Sequence, residues 1–282
     1  MHYKPRSKSK ELRALYSLNS RMNLPSNSKR HHLNLMKGFD GELKFDSMTE
    51  QLQCDSIILN DLLLKTNNTT FQIDSLIITY DTIYFYEVKN YEGNYYYEAE
   101  TDKFFKKSGY EILNPLHQLA RSDSLLTQLL HKHGFNIPTC AHLIFINDAF
   151  TLYQSPLDKP IIYPTQIKQH LNQLNAIPSK LNRKHKQLAD KLMSLHINES
   201  SFTQLPTYEY AQLRKGIICL KCNSFSIYVE GTKCVCERCG HKEIVDTAVK
   251  RAVREFNFYS QTKKSLQESS MNGAKWWDRK KE

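Results

Sequence analysis

The spacing of apolar residues along the chain changes near Gly38. The residues before it are rich in Ser, Asn, Lys and Arg, and this composition predicts a loosely ordered segment that allows a short helix around 9–18. After Gly38, the side chains of Leu43, Met48 and Leu52 fall roughly on one side of a helix. The change in spacing predicts that a packed domain begins near this glycine.

Strand patterns follow this helix. Runs rich in β-branched, aromatic and other apolar residues, separated by polar turns, predict four strands. They cover 56–65, 71–80, 82–90 and 93–107. The polar run 67–70 predicts a turn between the first two strands. The step from Asp81 to Thr82 is short enough for a hairpin, so we expect the second and third strands to be neighbours.

A second helix is predicted over 113–134. Asn114 can cap its first turn, and Gly134 suits its end. A buried strand is then predicted at 141–148, and residues 165–213 predict two or three polar helices. The order of helix, strands, helix and strand predicts an α/β fold in which helices flank a mixed sheet.

Five of the seven cysteines lie within 21 residues, and this clustering favours a metal site over a disulfide framework. Cys219 with Cys222 and Cys236 with Cys239 form two Cys-x-x-Cys pairs separated by 13 residues. Each pair can form a knuckle whose thiolates face one ion, and the residues between them read as a strand, a glycine turn and a strand. The pattern predicts a zinc ribbon whose Zn²⁺ is structural, because four thiolates leave no open position.

Two neighbouring residues leave the ligand set of this ribbon open. Cys234 could replace Cys236, although the two-residue gap to Cys239 favours Cys236. His241 follows closely and could also be a ligand, although an exposed histidine beside the site is the simpler interpretation. The favoured ligands are therefore the four cysteines of the two pairs.

Charge is distributed unevenly over a chain whose net charge is +10. Residues 1–37 carry nine Lys and Arg against one acidic residue, whereas residues 38–150 carry eight against sixteen. The segments 151–215 and 216–282 are each net positive by five. Basic flanks suit a polyanion such as nucleic acid, or they are merely solvated faces.

No apolar run reaches the roughly 20 residues that span a bilayer, and no secretory signal is evident, so we expect a cytoplasmic protein.

An acidic residue and a lysine stand two apart in the third predicted strand, so Glu87 and Lys89 point to the same face. If the second and third strands pair, Asp74 approaches Glu87, and two carboxylates in an apolar setting repel unless a cation lies between them. Mg²⁺ binds carboxylates while keeping waters, and it can polarise a phosphoryl oxygen. Asp74, Glu87 and Lys89 therefore form a candidate unit for phosphodiester hydrolysis, to which Glu42 could add a further carboxylate.

The segment from Gly38 to about Asp148 resembles the nuclease-related domain (NERD) family, within the PD-(D/E)xK nuclease superfamily. Four sequence pieces carry the resemblance, in the order GFDGE, FQIDSLII, YEVKNYEG and NPLHQ. The resemblance covers roughly 40% of the chain, and the combination is specific although each piece alone is not. Members of this family also occur joined to zinc-ribbon modules.

This resemblance implies a restriction-endonuclease-like fold and Mg²⁺-dependent cleavage of nucleic acid. It implies that Asp74 and Glu87 bind the metal and that Lys89 is the catalytic lysine. It further implies that Glu42 lies at the edge of the metal and that Gln118 is the polar residue on the helix lining the site.

These expectations divide the chain into five parts. They are a basic N-terminal arm (1–37), a nuclease-related domain (38–160), a helical connector (161–215), a four-cysteine zinc ribbon (216–245) and a basic helix and tail (246–282).

The predicted function is that of a Mg²⁺-dependent nuclease that hydrolyses DNA or RNA, with DNA favoured as the partner and no membrane partner. In this hypothesis the zinc ribbon and the basic arms bind the polyanion. A first alternative is a protein that binds nucleic acid through a nuclease-like domain without cleaving it. The set of Asp74, Glu87 and Lys89 argues against this alternative, because a pure binder does not need carboxylates beside a phosphate. A second alternative is a zinc-ribbon scaffold for protein partners.

Overall fold

The computed structural model describes residues 2–197 and 203–255. Residue contacts divide the chain into two compact units. The first unit comprises Met1–Lys8 and Asn34–Phe202, and the second comprises Ser9–Leu33 and Thr203–Glu282. Each unit is therefore assembled from two segments that are distant in sequence.

The described residues form six α-helices and twelve strands. The helices are α1 (Lys10–Arg21), α2 (Ser26–Thr49), α3 (Pro115–Lys132), α4 (Ile167–Ala176), α5 (Arg183–Leu195) and α6, which covers 245–255. The strands are β1 (Ile57–Thr66), β2 (Thr69–Ile78), β3 (Ile83–Lys89), β4 (Gly93–Glu98), β5 (Lys103–Lys106), β6 (Glu111–Ile112), β7 (Thr139–Phe145), β8 (Phe150–Tyr153), β9 (Ile161–Ile162), β10 (Ile227–Glu230), β11 (Lys233–Cys236) and β12 (Lys242–Ile244). None of the described helices combines the length and the apolar composition needed to cross a bilayer.

A five-stranded sheet forms the centre of the first unit, in the order β1-β2-β3-β7-β9. Strands β1, β2 and β3 pair antiparallel, whereas β7 pairs parallel with both β3 and β9. Asn67 and Asn68 form the turn between β1 and β2, with φ values of 46° and 60° that asparagine tolerates better than most residues. The predicted mixed sheet is confirmed, and so are the turn between the first two strands and the expected pairing of the second strand with the third.

Helices cover both faces of this sheet. On one face, Leu126 of α3 and Leu188 of α5 belong to the same buried cluster as Phe85 of β3. On the other face, Phe45 of α2 belongs with residues of α4 to the cluster that contains Tyr86. Successive side chains of β3 therefore enter two different cores, as the two-residue period of a strand requires. This architecture confirms the predicted α/β fold and is consistent with a nuclease-like fold.

A smaller sheet in the order β6-β5-β4-β8 extends the first of these cores. The segment 93–107, which the sequence predicts as one strand, is instead a hairpin of β4 and β5. Asp102 has a φ of 54° in the connection, a conformation that interrupts a strand. Phe150 of β8 stacks on Phe145 of β7 with ring centroids 3.9 Å apart, so aromatic contacts join the two sheets.

The two predicted helices of the nuclease-like segment differ in how well their sequence patterns describe them. The α3 prediction is confirmed, since the Asn114 side chain accepts a hydrogen bond from the backbone N–H of Leu116 and Gly134 adopts a φ of 78° after the helix. The predicted apolar side of α2 is wrong in part, because Leu43 is 43% exposed whereas Phe45 is fully buried. Tertiary packing selects a face of α2 that its short apolar pattern did not identify.

The expectation that the first 36 residues are loosely ordered is wrong, although the short helix that it allowed around 9–18 is present as α1. Helix α1 begins after Ser9, whose side chain accepts a hydrogen bond from Leu12, and the helix buries an apolar face that includes Leu15 and Leu18. Helix α2 begins at residue 26, well before the predicted start near Gly38. Much of the predicted basic arm is therefore packed structure rather than a solvated tail.

The predicted helical connector, 161–215, is divided between the two units. Helices α4 and α5 pack on opposite faces of the central sheet, through Leu171 and Leu188 respectively. Leu213, by contrast, clusters with Leu18 of α1 in the second unit. The polar composition of these helices suggested a linker, but each buries one apolar stripe against the core.

The second unit contains the three-stranded sheet β10-β11-β12 together with α1 and α6. The side chain of Asn223 donates a hydrogen bond to the hydroxyl of Tyr16 at 2.7 Å. Arg21 donates to the carbonyl oxygens of Arg214 and Gly216. Helix α1 is thereby attached to the segment that leads into the ribbon. Residues 256–282 of the predicted basic tail lie outside the described residues.

We predict that two glycines of α2 respond in opposite ways to alanine. A Cβ at Gly41 would lie 2.6 Å from the Cβ of Asn90, whereas a Cβ at Gly38 would meet nothing within 4 Å. Asn90 cannot easily move away, because its side chain is hydrogen-bonded to the carbonyl of Lys37 and to Asn147. Gly41→Ala should lower the free energy of unfolding by about 1–3 kcal/mol, whereas Gly38→Ala should raise it by up to about 1 kcal/mol.

Urea denaturation of both variants beside the parent measures these changes. Equal effects at the two positions would show that the close approach of α2 to the end of β3 does not depend on the missing side chain.

Candidate active site and cysteine cluster

Strand β3 places Glu87 and Lys89 on one face of the central sheet. Ile83 and Phe85 precede them on that face and pack in the core beneath α3, so the two polar residues continue an apolar row. β3 lies between β2 and β7, and Glu87 is only 4% exposed there. Lys89 is the last residue of the strand, and its side chain is 20% exposed. The carboxylate is therefore buried while the ammonium approaches the surface.

Asp74 reaches the same region from β2. The strands β2 and β3 pair antiparallel, and Asp74 lies one residue before Ser75, which pairs with Tyr86. The Oδ2 atom of Asp74 accepts a hydrogen bond from the backbone N–H of Val88 at 2.8 Å. This bond holds the buried carboxylate against β3, in the region between Glu87 and Lys89.

Helix α3 adds a polar side chain beside the lysine. Lys89 Nζ donates to Glu87 Oε1 at 2.6 Å and to Gln118 Oε1 at 3.1 Å. Gln118 lies in the first turns of α3, whose start is fixed by the Asn114 cap. The ammonium is thus held from two sides, by a carboxylate of the sheet and by an amide of the helix.

Glu42 joins this group through an arginine. Arg6 Nη1 donates to Glu42 Oε2 at 2.6 Å, and Arg6 Nη2 donates to the backbone carbonyl of Asp74, also at 2.6 Å. The charge of Asp74 raises the pKa of Glu42, so the two carboxylates lie within electrostatic reach of each other. Tertiary structure therefore brings all five predicted site residues into one region, and it adds a sixth group, the Arg6 guanidinium.

The sequence did not identify Arg6, and the reason is its sequence separation from its partners. It lies 36 residues from Glu42 and 68 from Asp74, so no local spacing connects them. Its position in a basic segment instead predicted a contact with a polyanion. A close pair of acidic residues on α2, Glu42 and Asp46, was the one available signal that a basic residue had to approach this helix.

Burial dominates the electrostatics of the site. It raises the pKa of Glu87 to about 7 with help from the charge of Asp74, while Lys89 acts in the opposite direction. It also raises the pKa of Asp74, against the effects of Lys89, the Val88 hydrogen bond and Arg6. Burial and Asp74 together raise the pKa of Glu42 to about 8 despite Arg6. The carboxylates are therefore short of positive charge even with both basic residues in place.

The lysine responds in the opposite sense. Burial alone would lower the pKa of Lys89, but the charges of Glu87 and Asp74 outweigh this effect and raise it. Lys89 is consequently an ammonium at neutral pH, able to donate hydrogen bonds and unable to accept a proton.

The donor set of this region suits a hard divalent cation. Asp74 and Glu87 offer carboxylate oxygens, and Mg²⁺ is typically bound by one or two carboxylates together with waters and substrate phosphates. Over the ranges 2–197 and 203–255, no three acidic side chains lie close enough to enclose an ion by themselves. The residues present thus fit an ion held by two carboxylates and completed by water and a phosphate, and they do not fit a closed protein cage.

The second unit contains a different cluster. The sulfur atoms of Cys219, Cys222, Cys236 and Cys239 all lie within 4.8 Å of one another. Sγ of Cys219 is 3.6 Å from that of Cys239, and Sγ of Cys222 is 3.5 Å from that of Cys236. Zn–S bonds of about 2.3 Å in a tetrahedron would place the sulfurs about 3.8 Å apart. The two Cys-x-x-Cys pairs therefore fit a single zinc ion, compatible with a C-terminal zinc ribbon.

Backbone geometry explains why these four cysteines converge. Gly240 has a φ of 68°, and its N–H bonds the carbonyl of Cys236, which closes the second knuckle. The corresponding bond in the first knuckle runs from Asn223, at φ 55°, to Cys219. Cys234 is buried in β11 and is not part of the cluster, and neither is His241.

Comparison with protein families identifies the segment of the chain that contains the first of these two sites. Residues 37–146 match the family model described as the nuclease-related domain (NERD), which confirms the resemblance recognised in the sequence. The match includes all five predicted site residues and excludes both Arg6 and the cysteine cluster. No curated protein and no solved structure matches the chain.

We predict that the metal-free protein loses stability as the pH rises from about 5 to 8. The pKa of Glu87 is about 7 in the folded chain and 4.5 for an ordinary glutamate, as in the unfolded chain. As the pH rises, the unfolded chain therefore loses the Glu87 proton before the folded chain does. The contribution of Glu87 to the free energy of unfolding is complete below pH 4.5 and is lost as the pH passes 7. The slope due to Glu87 should reach about 1 kcal/mol per pH unit near pH 6, midway between these two pKa values. Glu87→Gln should flatten it.

Urea denaturation at several pH values in buffer without divalent ions measures this slope. Glu111→Gln is the matched control, because Glu111 belongs to an exposed ion pair with Lys103. A slope that is the same in the parent and in Glu87→Gln would show that Glu87 is ionised normally in the folded state.

Proposed function

Because a nuclease-related domain spans residues 37–146, we propose that the protein is a Mg²⁺-dependent nuclease that hydrolyses phosphodiester bonds of DNA or RNA. The observation that carries the proposal is the buried pair of Asp74 and Glu87 with Lys89 beside it. A fold that buries two carboxylates near an ammonium at the end of a strand incurs an electrostatic cost that packing alone does not explain. A metal and a phosphate at this position would offset that cost.

Each residue has a distinct task in this proposal. Asp74 and Glu87 would hold the ion through carboxylate oxygens, with Asp74 oriented by the N–H of Val88. When bound, Mg²⁺ supplies positive charge to a phosphoryl oxygen and lowers the pKa of a bound water. Lys89 donates hydrogen bonds to a non-bridging phosphate oxygen or to the attacking water. Gln118 holds the Nζ atom of Lys89 in place. Hydrolysis then joins the water oxygen to phosphorus and breaks the bond from phosphorus to the leaving oxygen. The attacking water gives up one proton to solvent, and the leaving oxygen takes up one proton from solvent and departs as a hydroxyl.

The proposed partner is nucleic acid, with DNA favoured, and the folded structure changes which basic residues are available to it. Lys4, Arg6 and Arg21 are buried and form contacts within the chain. Lys29 and Arg30, in contrast, are exposed. Binding of a polyanion by the N-terminal segment would therefore depend on the exposed basic residues rather than on the net charge of residues 1–37.

We predict that substitutions at the carboxylates and at the lysine separate metal binding from catalysis. Glu87→Ala should abolish cleavage and weaken Mg²⁺ binding, because it removes a carboxylate oxygen from the proposed ligand set. Lys89→Ala should lower the cleavage rate by about 10²-fold or more while leaving the metal bound, since its hydrogen bonds go to the phosphate. Asp74→Asn should also abolish cleavage with little change in shape.

The measurement is a Mg²⁺ titration of the cleavage of labelled single- and double-stranded DNA and RNA, beside a binding assay for each variant. Lys103→Ala is the matched control for Lys89→Ala, because Lys103 forms a 3.0 Å ion pair at the surface. Unchanged cleavage by Glu87→Ala and Lys89→Ala would refute the assigned site. A parent that binds but never cleaves with any divalent ion would favour the non-cleaving alternative.

We also propose that the cysteine cluster holds one structural Zn²⁺ ion per chain. The four converging sulfurs support this proposal, since four thiolates are a common structural zinc site. The ion would stabilise a sheet of three short strands with several exposed residues, such as Val229 and Ile244, which offers little apolar core of its own.

We predict that Cys219→Ser lowers the zinc content to near zero and unfolds the ribbon, while the nuclease-related domain stays folded. Cys234→Ser is the matched control, because Cys234 is a buried cysteine of the same sheet that lies outside the cluster. It should retain about one zinc per chain. Metal analysis of protein purified without chelator checks both results, and a parent without zinc would refute the proposal.

A further inference from the structure

A short N-terminal segment, residues 2–8, forms part of the first unit although the family match begins only at residue 37. The backbone N–H groups of Tyr3 and Lys4 bond the carbonyl of Ile58, and the N–H of Asn60 bonds the carbonyl of Lys4. These bonds lay the segment alongside β1 in a parallel bridge. Its path is therefore fixed by the edge of the central sheet.

The segment carries Arg6 into the interior. Its side chain is 1% exposed, so it cannot be the group that meets a nucleic acid in solvent. Nε and Nη2 donate to the two carboxylate oxygens of Asp46 at 2.8 and 3.0 Å. The same guanidinium donates to Glu42 and to the Asp74 carbonyl, as described above. All three of its nitrogens thus bond to groups around the candidate active site.

The geometry of these bonds defines what Arg6 does. The two-point contact with Asp46 fixes the guanidinium plane relative to α2. The bond to the carbonyl of Asp74 ties that plane to β2. Glu42 Oε2 then accepts from a donor whose position is set by both elements, so the Glu42 carboxylate is held in a fixed relation to Asp74. A lysine could supply the charge here but not the planar set of donors.

The charge of the cluster also matters. The single positive charge of Arg6 acts on Glu42, Asp46 and Asp74 together, so it does not neutralise the three carboxylates around it. The remaining negative charge favours a divalent cation near Glu42 and Asp74. Arg6 therefore stabilises the buried carboxylates without removing the charge that attracts the ion.

We infer that Arg6 is a positioning residue of the proposed nuclease site, which holds Glu42 beside Asp74 at the edge of the metal that Asp74 and Glu87 would bind. This inference rests on the proposed function, and it makes residues 2–8 a necessary part of a site whose five other residues lie within the matched range 37–146. Arg6 acts through the carboxylates and touches neither the ion nor the substrate.

The experiment measures metal binding without reference to cleavage. Mn²⁺ favours the same oxygen ligands as Mg²⁺, and its free concentration can be followed by electron paramagnetic resonance. The zinc-loaded full-length chain is titrated as the parent, Arg6→Gln, Arg6→Lys and Lys4→Gln. Lys4 is the matched control, because it is a second buried basic residue of the same segment whose Nζ donates to the carbonyls of Asn60 and Asp61 rather than to the site carboxylates.

Arg6→Gln should weaken Mn²⁺ binding by roughly 10- to 100-fold, the usual cost of losing a group that orients a metal ligand. The Mn²⁺ affinity of Arg6→Lys should lie between those of Arg6→Gln and the parent. Lys4→Gln should change the Mn²⁺ affinity by less than about threefold, because Lys4 does not orient a metal ligand. In cleavage assays, excess Mg²⁺ should restore much of the rate of Arg6→Lys, since the loss lies in metal affinity rather than in the chemical step. Circular dichroism establishes that each variant is folded, and if Arg6→Gln does not fold, Arg6→Lys carries the test.

Two results would overturn the inference. Mn²⁺ binding that is unchanged or tighter in the Arg6 variants would show that Arg6 does not support the metal or that it competes with it. An equal loss in Lys4→Gln would show that Arg6 serves only to attach the segment to β1. If the parent cleaves nothing while the Mn²⁺ affinities follow the expected order, the proposed function fails and the role of Arg6 at a metal site stands.

Discussion

A buried carboxylate must find positive charge or hydrogen-bond donors, and this constraint organises the first unit. The fold draws Asp74 and Glu87 into the sheet and holds Glu42 and Asp46 on α2. Lys89 approaches them from the end of β3, and Arg6 approaches from the N-terminal segment. Loss of either basic residue would leave a partly buried charge unpaired, which typically costs several kcal/mol. The site therefore couples two strands, two helices and the N-terminal segment.

The same constraint connects stability with the proposed chemistry. Even with both basic residues in place, burial raises the pKa of Glu87 to about 7, so the fold alone does not fully stabilise the ionised site. A divalent ion would offset the remaining negative charge, and the phosphate of a substrate would complete its coordination. A site that is electrostatically incomplete without its ligands is a frequent feature of active sites, where unfavourable local energetics are balanced by the rest of the fold.

The second unit is organised by a different kind of contact. Its three short strands expose several apolar side chains and offer little core, so convergent cysteines provide the organising contacts. The two knuckles need φ values near 55° at Asn223 and 68° at Gly240, which asparagine and glycine tolerate best. Helix α1, which the sequence placed in a basic arm, belongs to this unit, and buried Arg21 contacts the segment that precedes the ribbon.

The sequence by itself determined the features that depend on neighbouring residues. Alternation along β3 placed Glu87 and Lys89 on one face, the Asn114 cap set the start of α3, and the spacing of the cysteine pairs defined the cluster. Only the tertiary structure decided which face of α2 is buried and that Arg6 lies against Glu42. Such contacts join residues far apart in sequence, and their free energy comes from burial and charge pairing that exist only once the chain has folded. The sequence around a basic residue in an N-terminal segment is the same whether the residue contacts a polyanion or a carboxylate 36 residues away.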